Sequence, residues 1–149
     1  MDIKALLPQL LPRAIAWAEN VSAEVTRSGE KLLEKEMVLA KSVGVQFPEN
    51  IRVMIVPEMP IPSDPQLKMA GLQTGLLGPH TIGLTLGYSI LIRHGHHSTR
   101  LLSHECRHVF QYEKVGGISL FLPQYLETIV EHGYNNSPFE IDARVNEGA

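Results

Sequence analysis

His104-Glu105-Cys106-Arg107-His108 is the stretch from which the rest of the chain is read. On a helix, histidines four residues apart project from one face about a turn apart and can grip a single ion. Neutral imidazole nitrogens suit zinc, which takes His and carboxylate ligands in a tetrahedral arrangement. Glu105 then stands beside the ion, placed to take a proton from an activated water rather than to bind metal. The flanks agree with a helix. Ser98 can cap its start, Leu101, Leu102, Val109 and Phe110 can bury its back, and Gly116-Gly117 can stop it. Cys106, two positions after His104, points to the far side and is expected as a small buried core residue.

The composition narrows the choices around that helix. A chain of 149 residues is expected to form one domain, 1–149, long enough to bury a core unaided. A formal net charge of −3 without a basic stripe argues against a nucleic-acid partner. No apolar run is long enough to span a bilayer, so no membrane role is expected. One cysteine cannot form an internal disulfide, which fits a reducing compartment. Ala16-Trp17-Ala18 resembles an export cleavage site, but Pro8, Gln9, Pro12 and Arg13 interrupt the apolar segment that should precede it. A cytoplasmic location is the expectation.

Along the chain, residues 1–12 suggest a short helical turn broken up by prolines. One long helix is expected over 13–42, broken near Ser28-Gly29, with Trp17, Val21, Val25, Leu32 and Leu39 at helical intervals. Residues 51–56 (IRVMIV) predict a buried strand, and 57–65, with four prolines, an ordered loop. Within 66–78, positions 66–72 admit a helical turn and 75–78 a turn between strands. Over 81–93, Ile82, Leu84, Leu86, Tyr88, Ile90 and Ile92 alternate with Gly83, Thr85, Gly87 and Ser89, which predicts one bent strand or a hairpin. Its small-residue side leaves room for something to approach the backbone. His94, His96 and His97 sit in a glycine-containing link without fixed geometry, and a solvated loop is expected there. Residues 118–132 predict a core-packing helix ending at Gly133, with Gln124, Glu127, Glu131 and His132 on its polar side.

Ser137, Pro138 and Glu140 have the spacing of a helix start, which puts two demands on Glu140. It can turn back to the N-cap amide as half of a capping box, or turn inward as a third metal ligand. Two histidines leave zinc short of the three protein ligands usual in catalytic sites. Glu113 is too close along the motif helix, and Glu127 and Glu131 lie in the packing helix. Glu140 is the best remaining candidate.

HECRHVFQYE followed by a glycine-led helix and GYNNSPFEIDAR resembles the zincin metallopeptidase superfamily, specifically small bacterial gluzincin-type domains. The resemblance covers residues 81–144. It implies a minimal zincin-like α+β fold: a long N-terminal helix, a small sheet with an edge strand, the HExxH helix and C-terminal helices. It also implies Glu140 as third ligand beside His104 and His108, and an edge strand within 81–93 along which a peptide lies. The chain departs from the larger gluzincins at Arg144, where they place an Asp; Asp142 is the alternative carboxylate to orient a ligand histidine. Gln111 is a further candidate to hold His108.

The implied function is a zinc-dependent metallopeptidase with Glu105 as general base and Tyr134 as the leading donor to the developing oxyanion. Arg107 and the loop histidines are weaker donor candidates, Arg107 being expected as a surface charge, and packing of the Tyr134 ring is that residue's alternative role. The expected cofactor is Zn²⁺ and the expected partner a peptide or protein substrate. Hydrolysis of a non-peptide amide would use the same zinc chemistry. The competing class is a non-catalytic zincin-fold module that binds a protein partner. No feature of the sequence sets an oligomeric state.

Overall fold

The chain begins with a helix that its prolines do not prevent. The computed structural model describes residues 1–148; Ala149, the last residue of the expected domain, lies outside them. Helix α1 runs over Ile3–Ser28, with Asp2 accepting from the Ala5 amide as N-cap. The expected break between residues 1–12 and the long helix is therefore absent. Pro8 and Pro12 are exposed and four residues apart, so the carbonyls of Lys4 and Pro8 that lose their partners lie on the solvent side. The break at Gly29 is real and larger than expected. There the chain enters a two-residue strand β1 (Glu30–Lys31) before helix α2 (Glu34–Ser42).

Strand β2 (Arg52–Val56) follows a short 3₁₀ turn, Pro48–Asn50. It is less covered than a buried strand should be, since Ile55 is 47% exposed. Beyond the proline loop, Asp64 caps helix α3 (Pro65–Thr74), which ends at left-handed Gly75 and has no buried residue. The region 81–93 is a hairpin, β3 (Gly83–Leu86) and β4 (Ser89–Arg93), joined through Gly87-Tyr88. Sheet order is β1-β2-β4-β3, with β2 and β4 parallel and the other pairs antiparallel. β3 is thus an edge strand.

The hairpin corrects the simple two-faced reading of its sequence. A two-residue turn reverses parity, so Gly83 pairs with Ile92 and Thr85 with Ile90, while Leu84 pairs with Leu91. Ile90 and Ile92 therefore share a face with the small residues and pack with Leu102, Cys106 and Val109 of the next helix, α4 (Thr99–Val115). Leu84, Leu86 and Leu91 face the opposite way, into a second cluster with α1 and α5 (Ile118–His132). Both faces of the hairpin are covered, and what approaches the small residues is the motif helix itself. Helix α6 (Pro138–Val145) closes against α4. The fold is α+β, and among the described residues no helix is long and apolar enough to cross a membrane.

Candidate metal centre

Helix α4 starts and stops on the predicted residues. Ser98 Oγ accepts from the Leu101 amide at 3.1 Å, and Gly116 (φ 122°) and Gly117 (φ 111°) turn the chain sharply into α5. Such positive φ values favour glycine. Cys106 is fully buried, and burial followed by the charges of Glu105 and Glu36 pushes its thiol up to about 12. It is an inert core thiol.

His104 and His108 lie on the opposite face and are both buried. Helix α6 brings Glu140 between them: Oε1 is 3.1 Å from His104 Nε2 and Oε2 is 3.0 Å from His108 Nε2. Ser137 does cap α6, accepting from the Phe139 amide. Glu140, however, is 1% exposed and turns inward, away from its capping role. One ligating atom from each of the three residues falls within 4.8 Å of the others. Ligand atoms about 2.0–2.1 Å from a tetrahedral zinc would be roughly 3.3 Å apart, close to the 3.1 and 3.0 Å between Glu140 and the two Nε2 atoms, so the donor set suits such an ion.

The groups behind the histidines fix their tautomers. Gln111 Nε2 donates to the Phe139 carbonyl and to Asp142 Oδ2, both at 3.0 Å, which turns its Oε1 toward His108 Nδ1 at 2.7 Å. His108 Nδ1 must therefore carry hydrogen. His104 Nδ1 donates to the Glu147 carboxylate at 2.8 Å, and Arg100 pairs with the other oxygen of Glu147. In the neutral rings both bare nitrogens, Nε2, point at Glu140. Two lone pairs and a carboxylate converge with no hydrogen of their own between them, an arrangement that requires protons or a cation.

Without a metal, protons fill that demand. Burial alone would depress His104, but the Glu140 hydrogen bond, the charges of Glu105 and Glu140, and Glu147 outweigh it and raise the ring to about 9. His108 moves up for the same reason, again against burial. Burial would raise Glu140, yet the two histidines and the Tyr125 hydroxyl hold it well below the usual carboxylate range. Tyr125 donates to Glu140 Oε2 at 2.5 Å.

Glu105 sits against edge strand β3. Its Oε1 accepts from Thr85 Oγ1 at 2.8 Å, and a Cβ on Gly83 would come within 2.8 Å of Oε2. Gly83 is thus the residue that leaves space for the carboxylate. Burial raises the Glu105 pKa, opposed by the charges of His108 and His104 and by the Thr85 bond. Tyr134, in the turn between α5 and α6, lines the same cleft; burial and the nearby Glu140 and Glu105 charges keep its phenol protonated far above neutral pH.

The remaining candidates separate clearly. His94, His96 and His97 are exposed, with His96 accepting from Arg93 and His97 near Glu36. Arg107 is not a free surface charge: it donates to both Asp142 oxygens and to the Val43 carbonyl, tying α4 to α6 and to the end of α2. Asp142 thereby supports His108 only through Gln111. Two residues escaped the sequence reading. Tyr125 lies in the helix expected only to pack the core, yet a buried phenol needs a partner, and here that partner is Glu140. Glu147, past the end of α6, follows no pattern that would announce it. No family model matches the chain, and no curated protein or solved structure matches it. The resemblance to zincins therefore rests on the motif residues.

Proposed function

We propose that the protein is a zinc-dependent hydrolase of peptide or related amide bonds, with His104, His108 and Glu140 as ligands and Glu105 as general base. One observation carries this reading: two tautomer-fixed Nε2 lone pairs and the Glu140 carboxylate converge beside a buried, protonatable Glu105. A divalent ion held there would supply Lewis acidity, making water nucleophilic near neutral pH and polarising a carbonyl. Glu105, with its raised pKa and its orientation fixed by Thr85, takes the proton from water and returns it to the leaving amine. Tyr134 offers a protonated hydroxyl on the cleft wall to a developing oxyanion. Edge strand β3 flanks the cleft and leaves backbone groups to which an extended substrate can add.

A binding module has no need for Glu105 or for the glycine that accommodates it, which favours the catalytic reading. The test is hydrolysis of a mixed peptide and acyl-amide panel by zinc-loaded protein and by Glu105→Gln. The expected outcome is activity in the wild type, reduced by about 10²–10⁴-fold in the variant with zinc retained. Equal rates in the two proteins, or no hydrolysis by either, would overturn the assignment.

A further inference from the structure

Resting on the metal centre proposed above, we infer that the Tyr125 hydroxyl reserves one oxygen of Glu140 and leaves only the other, Oε1, to an ion. Tyr125 is thereby a positioning residue: it acts through Glu140 and keeps one coordination place free.

Glu140 sits almost symmetrically between the two histidines. Its Oε1 lies 3.1 Å from His104 Nε2 and its Oε2 lies 3.0 Å from His108 Nε2. A carboxylate set in this way has lone pairs on both oxygens to offer to one ion. Tyr125 breaks the symmetry. Its hydroxyl donates to Oε2 at 2.5 Å, a length expected of a hydroxyl on an ionised carboxylate, whereas the bond at Oε1 is with His104, itself a ligand. Glu140 is 1% exposed, so bulk water does not stand ready to replace the phenol.

The hydroxyl is held where it is by packing and by a second contact between the same helices. The Tyr125 ring meets His108 edge-on at 5.9 Å between centroids and lies 5.9 Å from Phe121 and 6.3 Å from Phe139. One turn further along α5, Thr128 Oγ1 donates to the Tyr125 carbonyl at 2.7 Å. Ser137 Oγ accepts from the Phe139 amide, so its own hydrogen goes to Thr128 Oγ1 at 2.7 Å. Tyr125 with Glu140 and Thr128 with Ser137 are therefore paired contacts, three residues apart on each side, and together they fix the register of α6 against α5.

The consequence is for the free place beside the ligands. Two histidine nitrogens and one carboxylate oxygen leave a tetrahedral ion one position for water or a substrate carbonyl. A second oxygen from Glu140 would compete for that position. Tyr125 makes and breaks no covalent bond; it restrains a ligand.

Cobalt(II) in place of zinc reads the number of ligands directly, because its visible absorption is intense with four and weaker with five or six. Metal-free protein is titrated with cobalt(II) chloride beside Tyr125→Phe and Thr128→Val, with circular dichroism as the check on folding. The wild type is expected to give the intense spectrum. Tyr125→Phe, which keeps the ring and frees Oε2, is expected to lose intensity. Thr128→Val removes the neighbouring contact between α5 and α6 and is expected to lower the melting temperature while keeping the wild-type spectrum. A weak spectrum in the wild type, or an unchanged one in Tyr125→Phe, would overturn the role of Tyr125. The same loss of intensity in Thr128→Val would also overturn it, leaving Tyr125 as helix packing. If Tyr125→Phe takes up no cobalt, the wild-type spectrum decides alone. No cobalt uptake by the wild type would instead remove the metal centre itself.

Discussion

Five histidines lie within residues 94–108, and the fold treats them in opposite ways. His94, His96 and His97 are exposed on the link after β4. His104 and His108 are 8% and 7% exposed, and each has both ring nitrogens within hydrogen-bonding distance of a named partner. The residue type is the same; the difference is whether backbone geometry and neighbours fix where the lone pairs point. A helix supplies the four-residue spacing, α6 supplies the carboxylate, and Gln111 and Glu147 supply the tautomers. A glycine-containing loop supplies none of these.

The largest expected effect separates the two groups directly. His108→Ala is expected to weaken zinc binding by at least about a thousandfold, while replacing His94, His96 and His97 together changes it by less than about twofold. Competition with a chromogenic chelator reads both. Next comes the proposed general base: Gly83→Ala brings a methyl against the Glu105 carboxylate and should lower hydrolysis by about 10²-fold with zinc retained. A variant that also lost zinc would place Gly83 in the packing of α4 instead. Smaller effects belong to the groups behind the ligands. Glu147→Gln and Gln111→Leu are each expected to weaken zinc by about 10–100-fold.

The smallest effect is a pH dependence with a distinctive sign. In the metal-free protein His104 is raised to about 9, above its ordinary 6.5. Its contribution to stability is fully present below about pH 6.5 and is lost as pH rises toward 9. Metal-free protein should therefore melt several degrees lower at pH 9 than at pH 6.5. Zinc is expected to reverse the trend, because protons and metal would compete for the same nitrogens. Calorimetric scans across that range, with and without EDTA, compare the two slopes; parallel slopes would contradict the shared site.

How much of this the sequence could tell follows from the range of each interaction. Helix α4 was legible because its signals are local: a Ser cap, an apolar back and a glycine pair. The inward turn of Glu140 was only one of two options in the sequence, since the choice depends on α4 and on Tyr125, far along the chain. Proline counting misled at α1 because a proline on the exposed side of a helix leaves its orphan carbonyl to water. Period-2 counting misplaced Ile90 and Ile92 because the turn at Gly87-Tyr88 flips parity, which alternation alone does not reveal. Glu147 reaches His104 from beyond α6, and nothing in its neighbours marks that contact.

The central claim, that His104, His108 and Glu140 hold one zinc, is tested most directly by elemental analysis of chelator-free protein offered zinc and then desalted. The wild type is expected to retain about one zinc per chain, Glu105→Gln to retain the same, and Glu140→Ala to lose it. A wild type without zinc, or a Glu140→Ala variant that keeps its zinc, would contradict the three-ligand site.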